Sequence, residues 1–81
     1  MLVTAVESTI LMAVAYDSSS RVLHLQFRNR AIYHYFGVPP ATYQDLMAAP
    51  SLGSYFNRNI RGRFPYQRQA HDRTKLLDSL P

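Results

Sequence analysis

The stretch RVLHLQFRNRAIYHYF, residues 21–36, decides the fold. Within it, Val22–Arg28 alternates: Leu23, Leu25 and Phe27 fall on one face, and His24, Gln26 and Arg28 on the other. Successive side chains of a strand point to opposite faces, so a period of two marks a strand with one face buried. Asn29-Arg30 interrupts the pattern as a hairpin turn, because Asn tolerates positive φ. Ala31–Phe36, rich in aromatic residues, reads as the returning strand.

Upstream, the apolar run Ile10–Tyr16 reads as one more strand, and Asp17-Ser18-Ser19-Ser20 supplies the turn that joins it to the first. The first half is therefore a three-stranded antiparallel meander. Downstream, Gly37-Val38-Pro39-Pro40 ends the sheet, and Pro suits a first helical position because its missing N–H has no partner there anyway. Tyr43, Leu46 and Met47 then recur at helical spacing, which predicts a short helix over about Pro40–Ala48, stopped by Pro50. Ser51 is a good N-cap for a second helix with the stripe Leu52, Tyr55, Phe56 and Ile60, and Gly62 is a C-cap signal. Gly53, near the start of that helix, is read as structural, permitting close packing on the sheet. Pro65 makes Phe64-Pro65-Tyr66 extended. The fold class is α+β: the meander followed by two short helices packed on one face. Residues 1–66 form one domain, and residues 67–81 read as a loose basic tail.

Hairpin register decides where Tyr33 and Tyr35 point. A two-residue loop at Asn29-Arg30 sets Leu25 opposite His34 and leaves both tyrosines on the face of His24 and Gln26, as an exposed stacking platform. A loop one residue longer sets Phe27 opposite Tyr33 and Leu25 opposite Tyr35, with the tyrosines in the core. The tendency of aromatics to bury the ring and keep the hydroxyl at the rim favours the second.

The chain has 81 residues, no Cys and no Trp. A chain of this size builds a modest core, and without Cys it has no disulfides, thiolate zinc sites or thiol redox centres. No Lys or Arg precedes Arg21, and Glu7, Ser8 and Thr9 interrupt the first apolar run, so the N-terminus reads as mature structure rather than a signal peptide. The stretch Ile10–Ala15 is far short of the ~20 residues that span a bilayer. A cytoplasmic protein is expected, with no membrane role.

Formal net charge is +4, and residues 58–81 hold all of it, since Arg21, Arg28 and Arg30 balance Glu7, Asp17 and Asp45 before that point. Of the nine basic residues, eight are Arg. Guanidinium forks match phosphate oxygens and also stack on bases. Arg58 and Arg61 share a helix face by their spacing, Arg63 and Arg68 follow, and Phe64 and Tyr66 lie among them, as in proteins that hold single strands by charge and stacking. Asn57, just before Arg58, has an amide suited either to a base edge or to a local helix hydrogen bond. The candidate nucleic-acid-binding residues are thus Arg58, Arg61, Arg63, Arg68, Asn57 and Tyr66, with Tyr33 and Tyr35 if the sheet presents them.

Enzymatic chemistry is not expected. Ser8, His34 and Asp17 can be named as a triad, but no motif supports hydrogen-bonded catalytic geometry. His24, His34 and His71 lack the spacing and companions of a metal site, so no metal, cofactor or small-molecule substrate is expected. The alternative to nucleic-acid binding is a protein-interaction or homodimerisation module with a basic tail.

The chain resembles the KTSC domain family, small modules named for their presence at the C-terminus of some lysyl-tRNA synthetases and also found alone as short bacterial proteins. The resemblance rests on Ser8-Thr9 with Ile10, Tyr16-Asp17, Leu23-x-Leu25-x-Phe27, Tyr33-x-Tyr35, Val38-Pro39, Ala49-x-Ser51-x-Gly53 and Tyr55-Phe56-Asn57-x-x-Ile60-Arg61, running from Ser8 to about Tyr66. Arg30 stands where the family usually has Gly after the turn Asn, Ala15 replaces a common Gly, and Thr9 replaces a second Ser. The resemblance implies a small α+β domain without catalytic residues and, through the synthetase context, favours RNA over DNA as partner.

Overall fold

A computed structural model describes residues 3–69. The alternating segment forms the central strand of a five-stranded antiparallel sheet in simple sequence order. The strands are β1 (Val3–Ala5), β2 (Leu11–Asp17), β3 (Val22–Phe27), β4 (Ile32–Tyr35) and β5 (Tyr66–Arg68), with helices α1 (Pro40–Ala48) and α2 (Leu52–Asn59) between β4 and β5. The α+β class, the meander and the two helices on one face are as the sequence reads. Three strands become five, because β1 and β5 add a three-residue strand at each edge. β5 also takes in Gln67 and Arg68, so the sheet runs past residue 66, the expected end of the domain. The tail beyond Gln69, including His71, Arg73 and Lys75, lies outside the described residues.

One face of the sheet is the core. Leu23 and Leu25 on β3 are fully buried, together with Leu11 and Val14 on β2. Leu11 and Val14 are three apart, which a regular strand would send to opposite faces. A bulge between Leu11 and Ala13 resolves this: Leu11 pairs Phe27 while Val14 pairs Leu25, so both face inward.

The β3–β4 hairpin takes neither register considered from sequence. Leu25 pairs Tyr33, Leu23 pairs Tyr35, and His24 pairs His34. Tyr33 and Tyr35 lie on the core face, as favoured, but each is opposite the leucine one strand step from the expected partner. The loop starts one residue earlier because Arg28 is held elsewhere. Its N–H donates to the Ile10 carbonyl at 2.8 Å, and its Nε donates to the Ser8 carbonyl at 2.9 Å. The ladder therefore closes at Phe27, whose N–H donates to the Ala31 carbonyl, and Arg28-Asn29-Arg30 forms the turn. Asn29 Oδ1 accepts from the Ala31 N–H at 2.9 Å, and Arg30 adopts a φ of 73°.

Both helices cover the core face. Pro40 opens α1, where Leu46 is buried and Tyr43 stacks on Tyr16 with centroids 4.7 Å apart. The Tyr16 hydroxyl donates to the Val38 carbonyl at 2.6 Å, fixing the entry to α1. Ser51 caps α2, its Oγ accepting from the Ser54 N–H at 3.2 Å. Phe56 meets Phe27 and Tyr35 edge-on at 5.4 and 5.6 Å, a preferred aromatic geometry that adds about 0.5–1.5 kcal/mol per pair. Ile60, fully buried, is the C-cap of α2, and Gly62 follows with a φ of 77°. Gly62 thus turns the chain two residues beyond the C-cap Ile60 rather than at the cap itself. Among the described residues no helix is long and apolar enough to cross a membrane.

Candidate functional site

The site is built where β5 joins the sheet. The Phe36 N–H donates to the Pro65 carbonyl at 2.9 Å and the Gln69 N–H to the Ile32 carbonyl at 2.8 Å, so backbone bonds hold both ends of β5 against β4. Antiparallel pairing then sets Tyr66 beside Tyr35 and Arg68 beside Tyr33. All four side chains share the core face at the margin of the helical layer. Tyr35 is 4% exposed, Tyr33 is half-buried, and Tyr66 is 58% exposed, so the three rings grade from core to solvent. Their centroids lie 5.5 Å (Tyr33–Tyr66), 5.5 Å (Tyr35–Tyr66) and 6.3 Å (Tyr33–Tyr35) apart. The Arg68 guanidinium carbon sits 5.9 Å from the Tyr33 ring centroid, within cation–π range.

These rings line a cleft of about 570 Å³ that Phe27 and Phe56 also border. Asn57 and Arg61, both exposed, line it too. The Asn57 Oδ1 accepts a long 3.4 Å hydrogen bond from Arg61, the local role weighed for it, and its amide nitrogen takes no part in that bond. Desolvation holds the Tyr35 hydroxyl above its ordinary value, with the neighbouring Tyr33 and Tyr66 adding to the effect and Arg61 opposing it.

Of the sequence-derived candidates, Tyr33, Tyr35, Tyr66, Asn57 and Arg61 thus meet in one cleft, and Arg68 lies against its wall. Arg58 and Arg63 are exposed nearby without lining it. Arg61 does not share a helix face with Arg58, because α2 ends at Asn59 and the backbone leaves helical geometry at Ile60. Arg61 turns instead to the cleft. Phe27 and Phe56 were read only as core residues; strand pairing brings Phe27 to the cleft and the packing of α2 on the sheet brings Phe56, and no local pattern carries either.

The residues named as a triad have local roles. Ser8 Oγ accepts from the N–H groups of Ile10 and Leu11 at 3.2 and 3.3 Å. Asp17 Oδ1 accepts from the Ser19 hydroxyl at 2.7 Å and from its N–H at 3.1 Å, closing the β2–β3 turn. His34 packs edge-on against His24 at 4.5 Å, on the face opposite the helices. The pair is directly opposed across the strands. Among the described residues no three His, Asp or Glu side chains gather as metal ligands.

An antiparallel meander with two helices on one face and an aromatic cleft at their margin defines a small α+β domain. Comparison with known proteins gives that class a family. The KTSC domain model matches residues 7–64, and the chain belongs to the KTSC family. It is similar in structure to the KTSC domain protein of Yersinia pestis, with a TM-score of 0.82 and 33% identity, covering 85% of this chain and 97% of that one. A protein of Tsukamurella paurometabola is 41% identical over 59 residues, 73% of this chain and 88% of the relative. A lysine–tRNA ligase of Nostoc punctiforme is 34% identical over 61 residues, 75% of this chain and only 11% of the ligase.

Proposed function

We propose that the protein is a non-catalytic nucleic-acid-binding module that prefers RNA to DNA. Arg58, Arg61, Arg63 and Arg68 engage phosphates, while Tyr66 and the exposed part of Tyr33 stack on bases. The observation that carries this reading is the meeting of the graded tyrosine rings with Arg61, Arg68 and Asn57 at one cleft. A basic track interleaved with aromatic faces is how single strands are held with little regard to sequence. The preference for RNA draws on the lysine–tRNA ligase among its relatives, whose name specifies an RNA substrate.

The test is a titration with single-stranded RNA and DNA oligonucleotides of equal length at low and moderate salt. Binding is expected to be tighter for RNA, to fall as salt rises, and to weaken at least tenfold in the Arg58→Ala/Arg61→Ala double variant. Absence of binding at low salt, or affinity untouched by the double variant, overturns the reading.

A second reading, self-association through the sheet, has one observation behind it. β1 and β5 are both edges, and β5 is exposed along its whole length. Mass measurement by size exclusion separates the two: a concentration-dependent dimer that ignores oligonucleotides favours the interaction module.

A further inference from the structure

The cleft is narrower in purpose than a basic track requires. The centroids of Tyr33, Tyr35 and Tyr66 stand at ordinary aromatic pair separations, so no base slips between two of these rings. A base has to lie within the cleft, against the free surface that Tyr66 presents. The volume, about 570 Å³, is within the range of small-ligand sites, and the lining joins aromatic rings to the polar side chains of Asn29, Asn57 and Arg61. Those polar groups suit a nucleotide. Arg61 lines the cleft and Arg68 lies against its wall, so both stand ready for flanking phosphates. Asn57 has its Oδ1 engaged by Arg61, which leaves its amide hydrogens to donate to a base acceptor.

We infer that the cleft receives one unpaired base of an RNA strand, so that the protein binds unstacked nucleotides in loops, bulges or overhangs rather than the continuous double helix. The inference rests on the nucleic-acid-binding reading and deepens it. A base inside a duplex offers neither face, since both are stacked on its neighbours. A base free of the stack can lie against Tyr66 and meet the Asn57 amide on its edge.

The experiment uses the full chain and four RNA probes: a single strand carrying one 2-aminopurine, the same strand with an abasic position instead, a blunt duplex, and that duplex with one unpaired nucleotide. Expected are quenching of 2-aminopurine on binding, at least tenfold tighter binding of the single strand than of the blunt duplex, and recovered affinity when the unpaired nucleotide is added. Tyr66→Ala is expected to lose about tenfold on the single strand, and Tyr66→Trp to retain binding. Asn57→Ala is expected to weaken the intact strand but not the abasic one. Equal affinity for single strand and blunt duplex, or unquenched 2-aminopurine in the unaltered protein, overturns the inference. In that case salt-sensitive binding that depends on Arg58 and Arg61 leaves the broader reading standing. No binding to any of the four probes at low salt takes down both.

Discussion

Arg30 sits at a φ of 73° in the β3–β4 turn, a conformation that crowds a side chain's Cβ against the backbone. Left-handed geometry costs a non-glycine residue about 1–2 kcal/mol, and glycine carries no such cost, although it has more freedom to lose on folding. Arg30→Gly is therefore expected to raise the unfolding free energy by about 1 kcal/mol, read from urea denaturation midpoints. Arg30→Ala serves as the control, since it removes the charge and keeps the strain; a gain as large as that of glycine would show that charge, not backbone, is responsible. The same hairpin sets His24 against His34. Burial, followed by the facing His34, holds the His24 imidazole below its usual pKa of 6.5, while Asp17 acts weakly the other way. The unfolded chain thus takes up a proton more readily than the folded one, so His24 stabilises the fold above about pH 6.5 and that contribution is lost as pH falls through the lower folded value. Urea midpoints are expected to drop between pH 7.5 and 5.5, and His34→Gln to shrink the drop without abolishing it. Asp17, lowered chiefly by the Ser19 hydroxyl, acts in a separate window below its usual 3.8. An undiminished drop in the His34 variant would show that the paired rings are uncoupled.

At the level of elements, α2 shows how tightly a helix can be seated when one position lacks a side chain. A Cβ built on Gly53 would stand 3.0 Å from Ile10 Cδ1 and 3.1 Å from Ile10 Cγ1. Alanine there gains about 1 kcal/mol of helix propensity, against about 1–3 kcal/mol for overpacking. Gly53→Ala is accordingly expected to destabilise by about 1 kcal/mol net, and Ile10→Val, which deletes Cδ1, to relieve part of it. Strict additivity in the double variant would place the clash elsewhere. The sequence-derived role of Gly53 holds, and its partner proves to be the segment entering β2. Elements were legible where a long pattern met punctuation: α1 between Pro40 and Pro50, α2 after its Ser51 cap, and β3 by alternation. β1 and β5 were not, because three residues express no period and their strand state comes from the neighbour they pair with. The β2 bulge was hidden for a related reason, since one inserted residue breaks the parity on which a face assignment depends. The candidate site inherits these limits. Its residue types stood out in the sequence, but their meeting depends on β5 pairing β4, a contact between segments separated by both helices.

Over the whole molecule, the sheet divides two surfaces: helices and core on one side, the His24–His34 pair on the other. Charge is divided along a different line. Up to Asn57 the arginines and carboxylates balance, and the excess within the described residues lies on Arg58, Arg61, Arg63 and Arg68, from the end of α2 to β5. Tyr66 belongs to the same segment but contributes no charge, which lets one experiment separate two sources of affinity. Neutralising Z phosphates along a single strand gives a slope of about −0.7Z in log K against log salt concentration. If all four arginines engage phosphates, the slope is about −3. Arg58→Ala is expected to flatten it by about 0.7. Tyr66→Ala is expected to lower the line in parallel, since lost stacking releases no counterions. The measurement is a fluorescence-anisotropy titration of a labelled single-stranded RNA over a series of salt concentrations. A line that keeps its slope without Arg58 would exclude that residue from the interface, and one that flattens without Tyr66 would mean that the ring positions the strand against the arginines rather than stacking on a base.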